Sequence, residues 1–75
     1  MRVRLDTITK VKDFVKIIET NDIKGTLSHG EFTVDAGSIL GVLSLDLSNP
    51  LELKVKNSGD MNMVAGLLKE FIIEA

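Results

Sequence analysis

Apolar positions recur with two different periods along the chain, and the switches between them mark its elements. In residues 1–5, Val3 and Leu5 alternate with Arg2 and Arg4, which is strand periodicity. Asp6 or Thr7 can then cap a helix, because a side-chain oxygen there accepts a free backbone N–H. Ile8, Val11, Phe14, Val15 and Ile18 follow as one apolar stripe, predicting a helix of about four turns. Thr20, Asn21 and Asp22 end it. Residues 23–34 predict a hairpin, with Ile23, Gly25 and Leu27 on one strand face and Phe32 and Val34 on the return. Between them lie Ser28, His29, Gly30 and Glu31, where the glycine supplies the positive φ of a tight turn.

Ser38 stands at the start of a second helix carrying Ile39, Leu40, Val42, Leu43 and Leu45. That helix is short, since residues 46–50 have turn chemistry. Leu51, Leu53 and Val55 alternate with Glu52, Lys54 and Lys56 in the clearest strand of the chain. Asn57, Ser58, Gly59 and Asp60 turn and cap, and Val64, Leu67, Leu68, Phe71 and Ile72 mark a last helix. The predicted order is β-α-β-β-α-β-α. Such a chain is expected to be an α+β protein, an open-faced sandwich with a four-stranded antiparallel sheet and three helices on one face. The crossovers through the first two helices become right-handed split βαβ units if their strands are parallel.

The chain has 75 residues, enough for one domain over 1–75 with a small core. Large architectures with deep clefts between domains are excluded. A 44% hydrophobic and 27% charged composition is that of a globular chain. Nine basic residues against eleven acidic ones give a net charge of −2. That balance offers no electrostatic reason to bind nucleic acid or a membrane. Cysteine is absent, so disulfides, thiol nucleophiles and thiolate metal sites are excluded. A short chain without staples, without a signal-like N-terminus and without a long apolar run is expected in the cytoplasm.

Ser38, Ile39, Gly41, Val42, Ser44 and Leu45 carry a family resemblance. They match the second-helix pattern Lys-Ser-Ile-hydrophobic-Gly-Val-hydrophobic-Ser-Leu of HPr, the small histidine-containing phosphocarrier of the bacterial sugar phosphotransferase system, with Gly37 in place of the lysine. The element order resembles that of HPr as well. The carrier motif Gly-Ile-His-Ala-Arg-Pro has no counterpart here. Ungapped counting from Ser38 puts the carrier histidine at Thr7 and the arginine at Thr9. Phosphohistidine transfer needs an imidazole nucleophile, which threonine does not provide. The chain therefore resembles a paralogue that lost the carrier function, similar to regulatory paralogues of the Crh type.

The resemblance implies a non-enzymatic regulatory or adaptor protein without a cofactor. It assigns a regulatory phosphorylation to Ser38, the serine on which HPr kinase acts in such proteins. It assigns partner docking to Ile39, Leu40 and Leu43, with Lys10, Lys12 and Lys16 of the first helix beside them. Expected partners are HPr kinase or other phosphotransferase-system and regulatory proteins, and a homodimer is open. Each residue also has a plain role: Ser38 as a helix cap, the leucines as ordinary surface, the lysines as a solvated helix face. The alternative functions are a phosphocarrier with an unorthodox acceptor (Thr7, Thr9 or His29) and a purely structural, self-associating module. His29 is expected as a solvated turn residue, and one histidine among scattered carboxylates makes no metal site. Asp60 is expected to cap the last helix, with Met61 and Met63 as packing groups.

Overall fold

A computed structural model describes residues 1–57 and 60–74. The elements are β1 (Arg2–Val3), α1 (Ile8–Thr20), β2 (Gly25–His29), β3 (Phe32–Asp35), α2 (Ile39–Leu43), β4 (Leu51–Val55), α3 (Met61–Leu67) and β5 (Ile72–Glu74). The order follows the sequence expectation as far as α3. Ser58 and Gly59, in the turn expected before α3, lie outside the described residues.

The sheet has five strands, not four, in the order β3-β2-β4-β1-β5, with every neighbouring pair antiparallel. The last helix stops at Leu67, and Phe71 and Ile72 are not helical. Phe71 instead turns inward and meets Phe14 edge-to-face at 5.7 Å between ring centroids. Its carbonyl accepts the Arg4 amide at 2.9 Å, and Ile72 then pairs with Val3. The β-branched pair Ile72 and Ile73 suits that extended course better than another helical turn.

β1 and β2 both run antiparallel to β4, which lies between them, so they are parallel to each other. β3 and β4 flank β2 in the same way. Each of α1 and α2 therefore carries the chain across one intervening strand, as expected for split crossovers. The core joins Val3, Leu27, Leu51 and Leu53 of the sheet to Val11, Phe14, Val15 and Ile18 of α1, Val42 of α2 and Val64 of α3. No polar side chain is buried among the described residues. Ile8, read from the sequence as the first member of the α1 stripe, is 62% exposed. It occupies the first helical position, one turn before the first core contact at Val11.

Register divides the connections between two ends of the sheet. Val3 lies opposite Leu51, and Ser28 opposite Glu52. The β1–α1 junction, the β2–β3 hairpin and the α2–β4 loop thus share the hairpin end. The α1–β2 turn and the β3–α2 loop share the other. At that second end Asp22 takes a positive φ of 51°. Asn57 holds this turn: its Nδ2 donates to the Asp22 carbonyl at 2.9 Å, and its Oδ1 accepts the Lys24 amide at 2.8 Å. Among the described residues no helix is long and apolar enough to cross a membrane.

Candidate functional site

Ser38 caps α2. Its Oγ accepts the Gly41 amide at 3.1 Å and its carbonyl accepts the Val42 amide at 2.9 Å. The loop before it is tied down by Asp35, whose Oδ1 accepts the Gly37 amide at 2.7 Å and whose carbonyl accepts the Ser38 amide at 3.1 Å. Gly41 faces β3. A Cβ there would come within 3.2 Å of both the Val34 Cβ and the Ser38 Oγ. The glycine thus lets the helix lie close on the edge strand. At 100° per residue this fixes the rest of α2. Val42 points into the core and is fully buried, whereas Leu40 points away and is 82% exposed. Ile39 and Leu43 are each 39% exposed, one turn apart. The three apolar residues expected to dock a partner therefore share the outer side of α2.

The three lysines do not share one surface. Lys12, Lys16 and Glu19 lie along the flank of α1 that meets the loop before α2, where a Cβ at Gly37 would be 3.9 Å from the Glu19 Cγ. Lys10 is two residues, about 200°, from Lys12 and belongs to the opposite flank. There its Nζ binds the Asp6 Oδ1 at 2.9 Å, and the Lys10 ammonium lowers the Asp6 pKa.

Thr7 is the N-cap of α1, its Oγ1 accepting the Lys10 amide at 3.1 Å. It lies at the hairpin end of the sheet, whereas Ser38 lies at the other end, with Leu43 carried back toward Thr7 by the direction of α2. His29, expected as a solvated turn residue, instead closes β2 opposite Phe32 and is half-buried. The turn itself is Gly30 and Glu31, with Gly30 at a φ of 60°. Asp60 caps α3 as expected, its Oδ1 accepting the Met63 amide at 3.0 Å. Among the described residues no group of His, Cys, Asp and Glu is placed to hold a metal ion.

A cleft of about 270 Å³ opens beside Ser38, between the end of α1 and the loop before α2. Glu19, Asp22 and Asp35 face it, with Lys24 the cation at its margin. Lys24 is paired to Asp22 at 3.1 Å. Beyond α2, Ile8, Phe32, Met61, Met63 and Ile73 are also exposed. Met61 and Met63 were expected to pack but lie on the outer side of α3, and Ile8 and Phe32 escaped sequence reasoning because their periodicity matches that of core residues. Phe32 is 72% exposed although it shares a strand face with Val34. No protein-family model matches the chain, and neither a curated protein nor a solved structure matches it.

Proposed function

We propose that the chain is a non-enzymatic regulatory or adaptor module of the HPr type that docks a protein partner through Ile39, Leu40 and Leu43. The observation that carries this reading is Leu40, 82% exposed on a helix whose neighbouring residue Val42 is fully buried. Contiguous exposed apolar groups rimmed by polar ones mark interaction sites. Lys12 and Lys16 on the adjoining flank of α1 supply a basic border, while Lys10 stands apart. The element order through α3 supports the family reading. At the carrier position Thr7 contributes a cap hydroxyl and no imidazole, so the module relays no phosphohistidine.

Phosphorylation of Ser38 would switch the docking. The phosphate would bring about −1.5 to −2 charge to an edge of the patch already lined by Asp35 and Glu19. Like-charge repulsion there disfavours the closed cap. The test is intact mass after two incubations, one with ATP and HPr kinase, one with phosphoenolpyruvate and the first enzyme of the phosphotransferase system. The expected result is acid-stable phosphate from the kinase alone, absent in Ser38→Ala. Labelling from phosphoenolpyruvate overturns the non-carrier reading, and a kinase product that survives Ser38→Ala overturns the switch. Docking is read by amide NMR with HPr kinase, where perturbation centred on residues 39–43 and its loss in Leu40→Asp are expected.

A further inference from the structure

The net charge of −2 conceals a separation of charge between the two sides of the sheet. Side chains alternate across a strand, so the core residues Val3, Leu27, Leu51 and Leu53 fix which positions face away from the helices. Arg2, Arg4, Thr26, Ser28, Thr33, Asp35, Glu52 and Lys54 occupy the uncovered face. Pairing continues one step beyond β4, where the Lys56 amide donates to the Lys24 carbonyl at 2.7 Å. This adds Lys24 and Lys56 to the same face. Arg2, Arg4, Lys24, Lys54 and Lys56 are more than half of the nine basic residues. Against them stand Asp35 at the edge strand, Glu74 opposite Arg2 in register, Asp22 bound to Lys24 at 3.1 Å, and Glu52, whose Oε2 is bound by the Met1 ammonium at 2.8 Å.

Lys54 and Lys56 lie two positions apart on this face, with Lys24 opposite Lys56. Asp22 holds Lys24 at 3.1 Å and Lys54 acts on Glu52, whereas Lys56 makes no ion pair among the described residues. Like charge crowded in this way destabilises a sheet. We infer that the uncovered sheet face, centred on Lys54 and Lys56, is a second docking surface, independent of the α2 patch, and that its occupant is a short acidic polypeptide segment.

Charge complementarity selects an anion, and the Thr26 and Ser28 hydroxyls offer hydrogen bonds beside the lysines. The described side chains of this face include no aromatic ring on which bases could stack. The protein measures only 28 × 22 × 21 Å. A long polyanion would run off this short basic face. Glu52 and Asp35 likewise oppose a uniformly anionic plane. A short acidic segment laid along β4 avoids both.

The probe is a fluorescein-labelled peptide of twelve glutamates, followed by anisotropy at 50 mM salt, with amide NMR to locate it. We expect perturbed amides in β2 and β4, and affinity about tenfold lower in the doubly substituted Lys54→Glu, Lys56→Glu protein. The exposed Lys69→Glu, which belongs to neither docking surface, should leave affinity unchanged. Three results overturn the proposal: no binding, a comparable loss per charge in Lys69→Glu, or tighter binding of a twelve-nucleotide oligothymidine or of phosphatidylserine vesicles.

Discussion

Helices α1 and α2 lie against each other on the same face of the sheet, and each begins on a hydroxyl that accepts an amide three residues on, at 3.1 Å in both. Beyond the cap they diverge. α1 runs for 13 residues and buries Val11, Phe14, Val15 and Ile18, leaving a charged outer surface. α2 runs for 5 residues, buries Val42 alone, and leaves an apolar outer surface. One helix spends its apolar residues on stability. The other keeps them for contact, and is held by a cap, a glycine against β3 and one valine. A surface that must bind can thus be built from core-type residues, provided the element that carries it is anchored by few of them.

The sharpest way to break this contrast is Phe14→Ala, which removes a fully buried ring and its edge-to-face partner contact with Phe71. A loss of about 3–5 kcal/mol is expected from urea unfolding. Gly41→Val, which forces a side chain against Val34 and the Ser38 Oγ, should cost about 1–3 kcal/mol by the same measurement. If it costs nothing, α2 is not seated through its glycine. The two caps compare directly: Ser38→Ala and Thr7→Ala should each lose about 1 kcal/mol. A larger loss at Thr7 than at Ser38 would show α2 to be the looser helix.

Leu40→Ser sharpens the comparison from the other side. It should change stability by no more than about 0.5 kcal/mol while abolishing docking. The smallest effect concerns acid. Lys10 holds the Asp6 pKa below its ordinary value of 3.8, so the pair stabilises α1 above that pH and the contribution is lost as pH falls through the folded-state value. Asp6→Asn should therefore lower the thermal midpoint slightly at pH 7 and leave it unchanged near pH 2.

The elements that were legible are those whose local pattern has a single solution. The α1 stripe, the alternation of β4 and the caps at Thr7, Ser38 and Asp60 needed no tertiary information. β5 was illegible because Leu68, Phe71 and Ile72 satisfy helical spacing equally well, and only the free edge of β1 decides the matter. Sequence reasoning required some residue of α2 to be exposed. Which residue depends on the approach of Gly41 to Val34, a contact between elements. The split of Lys10 from Lys12 and Lys16 follows from helical geometry alone. The charged sheet face does not, since it exists only once β1, β2 and β4 are in register.

The Asn57 clamp bears on the order in which the chain organises itself. The residue that satisfies the Lys24 amide lies 33 positions later in the sequence, at the end of β4. Until β4 arrives, α1 and the β2–β3 hairpin are joined by a turn whose donor has no side-chain acceptor. Loop-closure entropy makes such distant partners late arrivals. The exchange rate of that one amide hydrogen therefore serves as a clock for sheet closure. Its protection should appear together with that of Leu53 in the middle of β4, and after the α1 amides have slowed.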